Sequence, residues 1–334
     1  MPSTPWEEPG WFESASAWIQ EQLKNHCLSM TGEITQPHIR PWSTVLNVPT
    51  DAGILYFKAS APSLAYEPRL TEALVRWRPD LMPELLGSDL ERGWLLMRDS
   101  GEPIRESIRT TGDLSHWEVV LPAYAELQIE LSDRAEELLS LGLLDRRLEG
   151  LPAQFERLLE DTESMGLGQP EGLTQTKYEK LQELQPKFAH MCARLAKYGI
   201  PESLHHDDFH DANVFLRDSR YILTDWGETC VSHPFFSILV CIRSTAYSMK
   251  WDFNDPRLIS LRDTYLKAWE RFASPADLLA AFRLAMPVAM VNRALTWHHV
   301  VSQLEGESHA EYAEAVPGWL MEFLEAETEA PISL

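Results

Sequence analysis

The 334-residue chain is short of cysteine, of positive charge and of long apolar runs. Its four cysteines, Cys27, Cys192, Cys230 and Cys241, are scattered without a C-x-x-C pair. Neither a disulfide framework nor a cysteine metal site is expected, and thiols of this kind point to a reducing, cytoplasmic setting. Only 29 Lys and Arg stand against 51 Asp and Glu, a net charge of −22. Such a surface repels phosphate backbones and anionic lipid, so neither nucleic acid nor a membrane surface is an expected partner. No apolar stretch approaches the roughly 18 residues of a membrane span, and Phe235 to Ile242 reads as a buried segment. The opening MPSTPWEEPGW is acidic and lacks the basic start and apolar middle of a signal peptide. There is no internal repeat, no low-complexity linker and no G-x-G-x-x-G phosphate loop.

What is present is globular: 44% hydrophobic and 24% charged residues, in a chain long enough for two cores. Residues 10–29 place apolar side chains at helical spacing. Ile34 to Arg40, Ser43 to Val48 and Gly53 to Ala59 then predict three antiparallel strands, with turns at Pro41-Trp42 and Pro49 to Gly53. Leu64 to Trp77 reads as a helix, and Trp94-Leu95-Leu96-Met97 as a buried strand ending in the turn Arg98-Asp99-Ser100-Gly101. From about Ser115 the pattern is helical, over 115–141, 145–165, 174–198, 235–249, 256–273, 275–304 and 308–327. The acidic tail Glu322 to Glu329 reads as a fraying helix end.

One stretch interrupts the helices: Leu204 to His233, LHHDDFHDANVFLRDSRYILTDWGETCVSH. Val214-Phe215-Leu216 and Tyr221 to Thr224 are β-prone runs joined by the polar Arg217 to Arg220, which suits a hairpin. Asp208 and Asn213 lie on the loop entering that hairpin and Asp225 at its exit, so the three can converge. Two carboxylates and an amide are what phosphoryl transfer from Mg²⁺-ATP requires: one carboxylate takes the acceptor hydroxyl's proton, and the amide and the other carboxylate hold the metal.

The segment His206-Asp207-Asp208-Phe209-His210-Asp211-Ala212-Asn213, followed after the hairpin by Thr224-Asp225-Trp226, resembles the aminoglycoside phosphotransferase and choline kinase family. That family's pattern is H-G-D-x-H-x-x-N, then I-D-W and a G-D-P turn. The resemblance implies an α+β, two-lobed protein-kinase-like fold, with a β-rich N-lobe over 1–97 and a mainly helical C-lobe over 98–334. It implies Asp208 as catalytic base, Asn213 and Asp225 as Mg²⁺ ligands, and His206 as a brace for the loop. Lys58, alone among apolar neighbours, would contact the α- and β-phosphates of ATP. Glu67 or Glu72 would hold Lys58, with Glu67 favoured by its place at the start of the helical segment. Met97 would mark the hinge whose backbone pairs with adenine. With no glycine between Ile39 and Thr44, the phosphates would depend on Lys58, the metals and Ser43.

Three positions depart from the family pattern. Asp207 stands in place of glycine, Ser232-His233-Pro234 in place of G-D-P, and Ser237 where a further Asp usually follows. The changes at Ser232 and Ser237 sustain a kinase-shaped module that binds nucleotide without turnover as an alternative. The crowd of His205, His206, Asp207, Asp208, His210 and Asp211 sustains a metal-dependent phosphohydrolase as a weaker one, with His205 and His210 otherwise read as packed or supporting loop residues. A small hydroxyl-bearing substrate is expected, and three features suggest that it is cationic. Residues 100–334 carry 21 basic and 38 acidic side chains, against 8 and 13 in 1–99. Asp207 adjoins the base, and Trp226, Trp251, Trp269 and Trp297 could offer cation–π faces. A generally acidic surface with core tryptophans is the plainer reading of the same residues.

Overall fold

The computed structural model describes residues 4–328. The chain divides into two compact units that are discontinuous in sequence. The first comprises residues 1–103, 213–227 and 303–308, and the second residues 104–212, 228–302 and 309–334. The chain therefore leaves the second unit just after the Asp208 segment, builds its hairpin in the first, and returns at Glu228.

The first unit is a five-stranded antiparallel sheet in the order β1 (Thr35–Ile39), β2 (Ser43–Thr50), β3 (Gly53–Ser60), β5 (Trp94–Arg98), β4 (Leu85–Asp89). Pro37 lies in β1, the edge strand, where a missing ladder donor is tolerated. The sequence did not predict β4, whose Gly87, Ser88 and Asp89 are turn formers; pairing with β5 overrides that preference. Side chains alternate along β3. Leu55, Phe57 and Ala59 enter the aromatic core beneath helix α1 (Trp11–Asn25), where Phe57 meets Trp18 and Trp94 edge-on at 5.7 and 5.4 Å between ring centroids. Lys58 therefore points to the opposite face, toward helix α2 (Glu67–Trp77), and Pro68 fits the first turn of α2 because it has no N–H to leave unpaired.

The hairpin Val214–Arg217/Arg220–Leu223 forms as expected, with a tighter turn: only Asp218 and Ser219 lie outside the ladder, both at positive φ. That is the backbone twist a two-residue hairpin needs. Its partner Glu102–Pro103 pairs with Phe215 and Leu216, and a Cβ on Gly101 would stand 2.3 Å from the Leu216 carbonyl oxygen.

The second unit is mainly helical. Its longest helix, Pro275–Val301, is N-capped by Ser274, whose side chain accepts from the Asp277 amide. By length and composition this helix could cross a membrane, contrary to the expectation that no stretch qualifies, and 72% of its apolar window is buried inside the fold. The tail expected to fray is instead tied down as far as it is described. Helix Ala315–Thr328 carries Glu322, bonded by Arg243 at 2.6 Å, and Glu327, which meets Lys187. Glu329 lies outside the described residues.

The fold is protein-kinase-like, with a β-sheet-rich N-terminal region and a helical C-terminal part.

Candidate active site

In the sheet unit, three separate segments meet at one ammonium. Lys58 Nζ of β3 lies 2.6 Å from Glu67 Oε1 at the start of α2, and 2.5 Å from Asp225 Oδ1 at the hairpin exit. Ser60, two residues along β3, donates to the other Glu67 oxygen at 2.5 Å. Glu72 takes a hydrogen bond from Ser88 instead, so Glu67 is the partner of Lys58. Burial alone would lower the lysine pKa, but the Asp225 and Glu67 carboxylates outweigh it and hold the group above its ordinary value and charged.

Asp225 sits at φ +64°, a left-handed conformation that Asp tolerates better than most residues. Its neighbours fix it there. Thr224 N–H donates to the Asn213 carbonyl at 3.0 Å, the Trp226 indole donates to Leu223 O at 3.3 Å, and Tyr66 OH donates to Gly227 O at 2.5 Å. Gly227 sits close to this pair: a Cβ there would stand 3.2 Å from Glu67 Oε2, so the glutamate would have to give way slightly. Asn213 and Asp225 are thus carried at the two ends of one hairpin. An amide and a carboxylate fit Mg²⁺, a hard ion that keeps water and phosphate oxygens and needs only one or two protein ligands.

In the helical unit, the Asp208 loop is built on aromatic packing and buried hydrogen bonds. Phe209 stacks on Tyr124 at 4.1 Å and meets Trp117 edge-on at 5.6 Å, which pins the loop between Asp208 and His210. Tyr124 OH accepts from the His206 amide at 3.0 Å, and His206 Nδ1 accepts from the Asp208 amide at 3.3 Å. His206 therefore braces the loop. Asp208 Oδ1 lies 3.0 Å from Arg293 Nη2, and its Oδ2 3.1 Å from His210 Nε2. Burial would raise the Asp208 pKa, but the bond to His210 and the Arg293 charge prevail and hold it far below the usual carboxylate range. Burial likewise pulls His210 down, and the Asp208 carboxylate more than restores it.

The family model for the phosphotransferase enzyme family matches residues 80–282, more than half of the chain. The chain belongs to this phosphotransferase family. A search of curated proteins finds no match. Among solved structures, the chain resembles an ethanolamine kinase of Plasmodium vivax at TM-score 0.60 and 10% identity, over 97% of this chain and 90% of that one. It resembles the choline kinase LicA of Streptococcus pneumoniae at 0.58 and 12%, over 92% and 99%. A type I macrolide 2′-phosphotransferase follows at 0.57 and 15%, over 91% and 97%. At such identities the likeness is one of fold.

Several expectations need correcting. Asp207 does not face a substrate: it is 2% exposed, accepts from His205 Nε2 at 2.9 Å and lies 3.9 Å from Arg293. Burial would raise its pKa, yet His205 and Arg293 keep it ionised. Trp226 and Trp269 are core residues, and Trp297 stacks on Tyr312. Asp207, Trp226 and Trp269 are thereby withdrawn as grounds for a cationic substrate. Ser43 is buried in β2, and Met97 lies within β5 opposite Tyr56 and Leu85. The acidic histidine cluster is occupied internally: His205 by Ser237 and Asp207, His210 by Asp208, Asp211 by Arg105.

Ser237, standing where the family pattern has a further Asp, supports the loop. Its hydroxyl joins His205 Nδ1 at 2.7 Å and Tyr124 OH at 2.8 Å. Arg293, with Glu228 as its other partner, went unnoticed in the sequence because it lies in the middle of an apolar helix, 85 residues beyond Asp208. A lone cation in the run AMVNRALTW was the available signal.

Proposed function

We propose that the protein is an ATP-dependent small-molecule kinase that transfers the γ-phosphate to a substrate hydroxyl. The observation that carries this reading is the Lys58 ammonium clamped between Glu67 and Asp225, a buried cation delivered to one end of the metal-binding pair. When bound, Mg²⁺-ATP supplies an electrophilic phosphorus and an ADP leaving group. Asn213 and Asp225 would hold the metal, Lys58 would meet the α- and β-phosphates, and Glu67 fixes the lysine, which on its own is a flexible point charge. Adenine would pair beyond the end of β5, at Asp99-Ser100, with Met97 supplying apolar contact.

Asp208 orients the acceptor hydroxyl. As the oxygen–phosphorus bond forms and the bridging oxygen leaves with ADP, the hydroxyl proton passes to Asp208. A carboxylate held this acidic is a weak proton acceptor, so orientation is its larger contribution. Arg293 and His210 are positioning residues for it.

The test is an ADP-release screen with amino alcohols, sugars and aminoglycosides, with the phosphorylated hydroxyl located by mass spectrometry. Asp208→Ala should lower turnover by roughly two to four orders of magnitude while leaving ATP binding in place. Acceptor-dependent turnover undiminished in that variant would refute Asp208 as the base. Nucleotide binding with no acceptor-dependent ADP release would mark a kinase-shaped binding module instead.

A further inference from the structure

Within the helical unit a pocket of about 800 Å³ opens beside Arg293, a size that suits a small molecule. Arg109, Arg243, Lys250 and Arg293 line it, with the rings of Trp251 and Trp319, and no acidic side chain joins them. In a chain of net charge −22 this concentration of cations is out of character.

The four charges are not equally committed. Arg293 is bound to Glu228 and Asp208, and Arg243 to Glu322. Arg109, on the last turn of helix Ile104–Thr111, and Lys250, which closes helix Ser237–Met249 at φ +55°, are exposed. Neither has an ion-pair partner among the described residues. Both stand at helix C-terminal ends, where the helix dipole favours a cation, yet both also face the pocket. The aromatic faces already hold cations of the protein. Arg257 lies 3.4 Å over the Trp251 ring, and Arg243 4.9 Å from that of Trp319. An ammonium entering here would meet occupied rings and like charges.

We infer that this is the acceptor pocket of the transferase and that it takes a hydroxyl compound bearing an anionic group, a carboxylate or a phosphate, beside a flat apolar body. The anion pairs with Arg109 and Lys250, and the apolar body lies among Val240, Ala246 and Phe253. Arg293 joins the pocket to Asp208, and by neutralising that carboxylate it lets an anion approach. The substrate class rests on the reading of Asp208 as the base; the binding site itself does not.

The experiment is a tryptophan-fluorescence titration of the full chain without nucleotide, using two probes of equal size and opposite charge, 4-(hydroxymethyl)benzoate and 4-(hydroxymethyl)benzylamine. The benzoate should bind at least tenfold more tightly. The double variant Arg109→Gln/Lys250→Gln should remove that advantage without shifting the melting temperature, both residues being exposed. Equal or tighter binding of the amine, or benzoate binding indifferent to the double variant, overturns the inference. Adding Mg²⁺-ATP separates the two readings. Asp208-dependent ADP release with cationic acceptors alone refutes the anion pocket and keeps the kinase. Anion binding that needs Arg109 and Lys250, with no Asp208-dependent ADP release from any acceptor, refutes the kinase and leaves an anion site.

Discussion

Arg293 Nη2 lies 3.0 Å from Asp208 Oδ1, and Arg293 Nη1 meets Glu228, so one buried guanidinium bridges the loop before the hairpin and the segment after it. The relationship sets the protonation state of the proposed base. With its pKa far below the ordinary range, Asp208 stays ionised through mildly acid pH. Arg293→Gln should raise that pKa, although the bond to His210 still holds it down. The acid limb of its pH–rate profile should therefore lie at higher pH than the parent's. Profiles differing only by a constant factor would show that Arg293 does not tune Asp208.

The Lys58–Glu67 pair predicts a split between two glutamates. Lys58→Met leaves Glu67, 2% exposed, without its counter-charge and should cost about 3 kcal/mol of stability, read by urea unfolding, together with most of the affinity for ATP. Glu67→Gln should weaken ATP binding in calorimetry. Glu72→Gln, which loses only the bond from Ser88, should leave it intact. Equal effects of the two Gln variants would dissolve the assignment.

Asp207 is predicted to be a structural carboxylate. Asp207→Ala removes the partner of His205 and one neighbour of Arg293, and should destabilise the fold by about 3–5 kcal/mol, as for breaking a buried pair. Asp207→Asn, which keeps an acceptor oxygen for His205, should recover part of that loss. A fully stable Asp207→Ala variant with altered acceptor preference would instead place Asp207 in the substrate site.

His233 should make the protein acid-sensitive. Its ring is buried, its Nδ1 accepts from the Phe235 amide at 3.3 Å, and burial, helped by His205, pushes its pKa down to about 3. The unfolded chain takes up that proton near pH 6.5 and the folded one does not until about 3. The stability this histidine contributes is therefore whole above pH 6.5 and is lost at about 1.4 kcal/mol per unit as pH falls from there toward 3. His233→Asn keeps a capping acceptor without the titration. Its stability difference from the parent should shift by about 2 kcal/mol between pH 7 and pH 5, measured by urea unfolding at the two values.

By itself the sequence determined the elements and the spacing of the reacting groups. Lys58 within a β-prone run, the hairpin between Asn213 and Asp225, and most of the helices are local patterns, fixed by side-chain periodicity and by a few turn formers. The folded chain reproduces them, except that the helix expected over 145–165 shortens to Leu151–Glu160 after a strand at Leu144–Asp145, and that expected over 308–327 divides into Gly306–Tyr312 and Ala315–Thr328. Burial, pairing and charge compensation are not local. Position along the helix favours Glu67 over Glu72, but only the approach of α2 to β3 decides which meets Lys58. Asp207 reads as an added surface charge until packing brings His205 and Arg293 around it. The overall acidity of residues 100–334 suggested attraction for cations, yet the folding of three helices gathers the scarce arginines and a lysine into one pocket. A net charge is a sum over the whole surface, whereas a ligand meets only the few side chains that tertiary structure brings within reach.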